Sequence, residues 1–203
     1  MRKLAAIVEG HGEVEALPLL IRRVQEGDPS LLQPDLKQSD VIRVGRSKVV
    51  KQDELERAVE LAARKVGRGG AVLVLLDADD DLGCELGPDL LARADREDID
   101  VGVVIAVREY ESWFLAAAKS LSGVAGLRQG LTAPASPGTI RGAKEWLGER
   151  MADNRSYRPR LHQAKLTAAM DLEALAADRS FRKLEKEVRR LLTPPPEEGT
   201  SDG

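Results

Sequence analysis

The first 121 residues alternate short apolar runs with stretches in which apolar positions recur every three or four residues. The runs at 4–8, 71–76 and 101–107 are almost continuously apolar, which is typical of strands that are covered on both faces of a sheet. A shorter run at 39–44 predicts one more strand. The intervening spacing predicts helices over 14–24, 52–66, 88–97 and 111–121. This alternation predicts an α/β fold with a mostly parallel, Rossmann-like sheet flanked by helices.

The second part of the chain has a different pattern. Residues 122–138 are rich in Gly, Pro, Ser, Thr and Ala, which indicates a linker after an α/β core formed by 1–121. Helical spacing then returns and predicts a C-terminal helical extension, 139–193, that packs on the core. Its helices are expected at 139–151, at 161–177 with a break near Met170, and at 180–192. Prolines 194–196 end the last helix, and the tail 194–203 is expected to be disordered.

Composition narrows the classes of protein that fit. A chain of 203 residues suits one domain with an appendage, and a net charge of -3 gives no overall basic signature of nucleic-acid binding. The stretch 138–193 nevertheless carries 13 Lys and Arg against 8 Asp and Glu, which favours an anionic partner there or reflects ordinary charge scatter on solvated helices. No segment approaches the roughly 20 apolar residues of a membrane span, and the single Cys84 lacks an intramolecular disulfide partner. We therefore expect a cytoplasmic protein.

Acidic residues follow three of the predicted strands. The sequences are EGHGE at 9–13, DADDD at 77–81 and REYE at 108–111. Because parallel strands end at one edge of a sheet, these carboxylates are expected to lie together where open α/β sheets bind ligands. Crowded carboxylates repel one another unless protons or a divalent cation compensate. The alternatives are a strand-to-helix turn at the first segment and a solvated acidic turn at the second.

Candidate roles can be assigned to individual side chains in these acidic segments. Alternation along an extended chain would let Asp77 and Asp79 face one hard cation such as Mg²⁺, which prefers oxygen ligands. Alternation would also let one of Glu109 and Glu111 face the site while the other caps the following helix. His11 lies beside the proposed metal and is either a proton shuttle or phosphate contact, or simply a histidine of the turn.

The motifs resemble a known family. The ordered segments EGHGEVEAL, LVLLDADDD, REYESWFLA, HQAKLTAAMDL and RSFRKL are similar to a bacterial family of Toprim-like proteins catalogued as a domain of unknown function of the DUF4276 type. The strand ends at Val8-Glu9-Gly10 and Asp77-Ala78-Asp79, with the later Gly83, resemble more broadly the Toprim domains of topoisomerases, primases, ribosomal-RNA maturases and overcoming-lysogenization-defect (OLD) nucleases. The resemblance covers most of 4–192 and implies a Toprim-like fold.

The same resemblance implies roles for the acidic residues. It makes Glu9 a metal ligand or general acid/base, places Asp77 and Asp79 on Mg²⁺ (or Mn²⁺), and gives Glu13 the position of a second catalytic acid. Glu111 matches the further metal-binding carboxylate of nuclease-type members. The sequence departs from the larger relatives because it carries no topoisomerase tyrosine domain, primase zinc module or OLD-type ATPase domain. An ATPase partner on another chain and a homodimer are both compatible with it.

A basic segment late in the chain is the candidate nucleic-acid-binding surface. Its cations would track a phosphate backbone while its tyrosine stacks on a base. Solvated helix flanks with local ion pairs are the alternative. The predicted binding residues are Arg155, Tyr157, Arg158, Arg160, His162 and Lys165.

These observations favour Mg²⁺-dependent phosphodiester chemistry on nucleic acid, by a nuclease or nuclease subunit of a DNA-processing or defence system. One alternative is a non-catalytic Toprim-like binding subunit for a partner protein such as an ATPase. A lesser alternative is a phosphatase like the haloacid dehalogenases, with Asp77 as nucleophile. That motif fits less well because it falls on the third strand and Asp80 follows Asp79 where Thr or Val is expected. The choice between DNA and RNA stays open.

Overall fold

The computed structural model describes residues 1–153 and 155–194. Within them the chain forms five strands and eight α-helices, joined by loops and short 3₁₀ turns. The strands are β1 (Arg2–Val8), β2 (Pro34–Asp35), β3 (Val41–Arg43), β4 (Ala71–Asp77) and β5 (Asp100–Ala106). The helices are α1 (Glu13–Glu26), α2 (Arg46–Val49), α3 (Glu54–Val66), α4 (Gly83–Ala94), α5 (Ser112–Ala116), α6 (Ala143–Glu149), α7 (Pro159–Ala169) and α8 (Arg179–Leu192).

All pairings in the five-stranded sheet are parallel. β1 and β4 lie in the centre and β5 forms one edge, while the short strands β2 and β3 pair with the beginning and the end of β1 at the other edge. Every residue of β4 is buried, which explains why its sequence is apolar up to the terminal Asp77. The predicted α/β fold with a mostly parallel sheet and a C-terminal helical part is confirmed.

Two apolar clusters cover the two faces of the sheet. On one face, Ile7 and Val74 pack in a cluster with side chains of α3 and α4. On the other face, Val8 and Leu75 pack with side chains of α1, α7 and α8. The C-terminal helices therefore share a core with the strands. In the described part of the chain, no helix is both long and apolar enough to cross a bilayer.

The predicted element boundaries needed correction in several places. The strand expected at 39–44 is only β3, because Gln38–Asp40 forms a 3₁₀ turn. α4 begins at Gly83 rather than near Pro88, which lies inside the helix instead of in its favoured first turn. The helix expected at 139–151 begins only after Gly142, whose φ of 73° is left-handed.

Two further helix predictions had different outcomes. The helix expected at 111–121 ends as α5 at Ala116 and continues as a 3₁₀ turn. The break predicted near Met170 is confirmed, since this residue is extended and ends α7. Of the tail 194–203 that was predicted to be disordered, residues 195–203 lie outside the described part.

Candidate functional site

Four carboxylates meet at the carboxyl end of the sheet. Glu9 follows β1, Glu13 begins α1, Asp77 ends β4 and Glu111 follows β5, and all four line one pocket of about 770 Å³. Glu13, Asp77 and Glu111 are only 5%, 8% and 1% exposed, and Glu9 is half-buried. Parallel strands thus bring together acidic residues that are separated by about a hundred positions in the sequence.

The glycine-containing loop after β1 is shaped around Glu13. Oε2 of the Glu13 carboxylate accepts hydrogen bonds from the backbone N–H groups of Glu9 at 3.1 Å and Gly10 at 3.2 Å. A Cβ on Gly10 would lie 2.8 Å from Glu13 Oε1, and one on Gly12 would lie 1.9 Å from Gln163 Oε1. Close approach therefore requires glycine at both positions.

Asp77 is anchored from both sides. Its Oδ1 accepts a hydrogen bond from the Tyr110 N–H at 2.8 Å, and its backbone carbonyl accepts one from Arg46 Nη1 at 3.0 Å. The buried Tyr110 is itself held by a 2.9 Å hydrogen bond between its hydroxyl group and that of Thr167 on α7. The sheet and the C-terminal helices together fix the position of this carboxylate.

A lysine from α6 faces the carboxylates. Lys144 Nζ lies 3.5 Å from Glu111 Oε2 and 3.4 Å from Glu109 Oε2, and the Tyr157 hydroxyl donates to Glu111 Oε1 at 3.0 Å. Burial lowers the pKa of Lys144, but the charges of Glu111 and Asp77 outweigh it and raise the pKa above its ordinary value. Lys144 is therefore a charged partner in the site.

One lysine does not compensate the whole acidic group. Burial raises the pKa of Glu13 to about 7, helped by the charge of Glu111 and opposed by the hydrogen bond from Gly10. Burial and the charges of Glu13 and Glu111 raise the pKa of Asp77 well above its usual range. Burial also raises the pKa of Glu111 and, together with the charge of Asp79, that of Glu9. The site favours uptake of protons or of a cation.

Asp79 lies outside this pocket. β4 ends at Asp77, and Asp79 is exposed with a left-handed φ of 51°, so the alternation assumed for an extended chain does not reach it. It lines a separate depression with Asp80, Arg108 and Arg141. Its charge nevertheless raises the pKa of Glu9, which places the two carboxylates near each other.

The donor set can be compared with the needs of a divalent cation. All four pocket carboxylates offer the oxygen ligands that Mg²⁺ and Mn²⁺ accept, and the buried Glu9 Oε2 has no hydrogen-bond partner among the described residues. Within residues 1–153 and 155–194, no three His, Cys, Asp or Glu side chains are grouped closely enough to hold a metal as they stand. The residue types fit such a cation, and binding would require their side chains to draw together.

Comparison with known proteins identifies the family. The model of the family described as "Domain of unknown function (DUF4276)" matches residues 8–189, from the end of β1 into α8. The chain belongs to the DUF4276 family. No curated protein and no solved structure matches the chain. The predicted family is confirmed, whereas the wider relationship to Toprim domains stays a prediction.

The predicted basic segment of this DUF4276 protein divides into two parts. Tyr157, Arg158 and Arg160 line the carboxylate pocket, and Arg160 Nη2 lies 3.2 Å from Nδ1 of His11, which also lines it. Desolvation, followed by the charges of Arg160 and Arg43, lowers the pKa of the exposed His11. The lowered pKa favours the neutral form of the His11 ring beside Arg160.

The other predicted binding residues lie away from the pocket. Arg155 is exposed and pairs with Asp153 at 3.7 Å, and Lys165 is exposed on α7. His162 Nδ1 accepts a hydrogen bond from the Arg158 N–H at 2.8 Å, and its ring stacks on Tyr157 with the centroids 5.6 Å apart. These contacts organise the segment, and base stacking by Tyr157 stays a prediction.

Three polar or charged side chains in the pocket of the DUF4276 protein were not among those predicted from the sequence. They are Arg43 at the end of β3, Lys144 on α6 and Gln163 on α7. Arg43 lies on the strand that pairs with the end of β1, so its place at the carboxyl edge was accessible from the strand pattern. Gln163 lies in the late motif HQAKLTAAMDL, next to the predicted His162, whereas no local signal marks Lys144. Both side chains reach the site only through packing of the C-terminal helices.

Proposed function

We propose that this protein carries out Mg²⁺- or Mn²⁺-dependent phosphodiester chemistry on nucleic acid, as a nuclease or nuclease subunit. One observation carries the proposal: four carboxylates with raised pKa values share a pocket with three arginines, Arg43, Arg158 and Arg160. Carboxylates with a divalent cation are suited to phosphoryl transfer, and arginines are suited to holding phosphate oxygens. The interpretation of the acidic motifs as Toprim-like is part of this proposal.

The residues that would hold the cation are Glu9, Asp77 and Glu111. Glu9 brings an unpartnered oxygen, while Asp77 and Glu111 are fixed by Tyr110 and Tyr157. When bound, the cation would activate the attacking oxygen and stabilise the leaving one. Asp79, predicted as a ligand, stays in the proposal as an outer carboxylate close to Glu9.

The remaining residues of the pocket have distinct tasks. Glu13, held by backbone N–H groups and with a pKa of about 7, is suited to hold or release a proton near neutral pH. Lys144 forms ion pairs with Glu109 and Glu111 and holds both side chains in place. Arg158 and Arg160 would orient the phosphates of the substrate, and the neutral His11 would contact phosphate or pass a proton.

The direct test is cleavage of single- and double-stranded DNA and RNA by the purified protein with Mg²⁺ or Mn²⁺. Asp77→Asn and Glu9→Gln are expected to abolish cleavage, whereas Glu15→Gln, an exposed acid on the first turn of α1, should leave it unchanged. Cleavage that persists in both variants, or that needs no divalent cation, would refute the proposal. A protein that binds partners without cleaving would support the binding-subunit alternative, and a phosphorylated Asp77 would support the phosphatase.

A further inference from the structure

The arginines of the pocket differ from others at this edge of the sheet in having no acidic partner. Arg46 pairs with Asp81, and Arg108 pairs with Asp80 at 2.7 Å. In the described part of the chain, no carboxylate forms an ion pair with Arg43, Arg158 or Arg160, and the hydrogen bond of the Arg160 side chain is to His11. Their positive charge is therefore available to an anionic ligand.

A buried amide points to the same conclusion. Gln163 is 1% exposed and lines the pocket, and its Nε2 has no hydrogen-bond partner among the described residues. Its Oε1 lies against Gly12, where a Cβ could not fit. A buried donor without an acceptor is unfavourable unless a ligand supplies the acceptor. An anionic oxygen in the pocket would satisfy Gln163.

The segment 157–163, called here the strap, closes one side of this pocket. Tyr157 reaches Glu111 after β5, Arg160 reaches His11 after β1, and Gln163 lies against Gly12. The strap thus bridges the ends of two strands. A pocket of about 770 Å³ bounded in this way has the size typical of sites for small ligands. It suits a nucleotide at the end of a chain better than a continuous strand passing through.

We propose that the pocket takes a phosphorylated nucleic-acid end, so that the proposed nuclease acts at chain ends. This inference rests on the proposed function and names its substrate class. A terminal phosphate monoester carries about -1.5 to -2 charges at neutral pH, more than an internal phosphodiester. Arginine forks and an amide donor match its oxygens, and the adjoining phosphodiester then faces the carboxylates.

Binding tests the inference without relying on catalysis. Fluorescence anisotropy with full-length Asp77→Asn protein would compare labelled short oligonucleotides ending in 5′-phosphate, 3′-phosphate or hydroxyl groups. Oligonucleotides with a phosphate at one of these two ends are expected to bind about tenfold more tightly than oligonucleotides with only hydroxyl ends. Arg158→Ala or Arg160→Ala should remove this preference. Arg182→Ala, at an exposed arginine of α8 that does not line the pocket, is the control and should retain it.

Two results would overturn the inference in this assay. They are equal affinity for phosphorylated and hydroxyl ends, and an equal loss of preference in the Arg182→Ala control. Gln163→Leu provides a further check, because it removes the amide donor and should weaken the preference without adding charge. Thermal unfolding of each variant would confirm that the protein remains folded.

A cleavage comparison separates failure of the inference from failure of the proposed function. Linear 5′- or 3′-phosphorylated single strands should be degraded, while a covalently closed circle of the same sequence should resist. Cleavage of the circle at the rate of the linear strand would overturn the end-directed activity and leave the nuclease standing. Selective binding of a phosphorylated end without cleavage of either substrate would support the pocket assignment and refute the nuclease.

Discussion

Two pockets of nearly equal volume, about 770 and 750 Å³, lie at opposite ends of the same parallel sheet. The second, at the amino ends of the strands, also contains arginines. There, however, Arg2 pairs with Asp100, and Arg190 binds Glu187 and the Val101 carbonyl oxygen. Two arginines of the amino-end pocket are thus paired within the protein, but Lys3 and Arg68, which also line it, form no ion pair in the described part of the chain. The carboxyl-end pocket differs because it combines unpaired arginines with four carboxylates that are buried or half-buried. Neither pocket size nor basic charge alone marks the site; the buried acids beside the arginines do.

The largest effect is expected when one acid at the carboxyl end of the sheet is compared with one acid at the amino end. Asp77→Asn should lower metal-dependent cleavage by about a hundredfold or more, since loss of a supporting group around a metal alone costs 10–100-fold. Asp100→Asn, at the start of β5 and half-exposed, should leave the cleavage rate unchanged. Steady-state rates of the two variants check this, and similar losses in both would break the distinction between the two ends.

Glycine substitutions sharpen the comparison further. Gly12→Ala places a Cβ 1.9 Å from Gln163 Oε1, and Gly70→Ala, in the other pocket, places one 2.5 Å from Val66 Cβ. Overpacking should cost each variant about 1–3 kcal/mol of unfolding free energy. Only Gly12→Ala should also reduce cleavage, because it displaces the strap. Urea unfolding and activity assays measure both effects, and full activity in Gly12→Ala would argue against a role for the strap.

The carboxylates at the end of the sheet were the part of the site most accessible to sequence reasoning. Continuous apolar runs marked the central strands, and the acids that follow them had to meet at one edge. Asp79 was wrongly expected to face the same site as Asp77, because its left-handed backbone ends the alternation that an extended chain would keep. The places of Lys144 and Gln163 in the pocket were not predicted, because they depend on how the last helices pack on the sheet. β2 was missed because it is only two residues long, and β3, which was predicted as a longer strand at 39–44, is only three residues long.

Stability should depend on pH with opposite sign at the two ends. The pKa of Glu13 is raised to about 7 from 4.5, so its protonated form stabilises the fold below about pH 4.5, and this stability is lost as the pH rises through 7. Without divalent cations, the free energy of unfolding of the unmodified protein should fall by about 1–3 kcal/mol between pH 5 and pH 8. The Glu13→Gln variant should not show this fall. Urea unfolding in a chelator at several pH values measures this. Added Mn²⁺ should reduce the loss in the unmodified protein.

Glu187 provides the matched comparison. Burial raises its pKa, but Lys183 and Arg190 outweigh this effect and lower it below the ordinary 4.5. Its stabilisation is therefore present above pH 4.5 and lost as the pH falls below that value. Glu187→Gln should lose stability at neutral pH and converge with the unmodified protein in acid. The same direction of pH dependence for Glu13 and Glu187 would contradict the contrast between the two ends.

The smallest effect is expected at the exposed acidic turn. Asp80 is 71% exposed in its ion pairs with Arg108 and Arg141, so Asp80→Asn should change the unfolding free energy by at most about 1 kcal/mol. Cleavage should also stay within about twofold of the unmodified protein, because Asp80 lies outside the carboxylate pocket. A large loss of activity in this variant would extend the site to the turn after β4.

The central claim is that the carboxyl end of the sheet holds a divalent cation, and a crystal structure grown with Mn²⁺ tests it most directly. The anomalous signal of Mn²⁺ is predicted to appear between Glu9, Asp77 and Glu111, at ligand distances of about 2.0–2.3 Å from their oxygens. An anomalous map with no peak among these carboxylates at saturating Mn²⁺, with Lys144 still their counter-charge, would contradict the account.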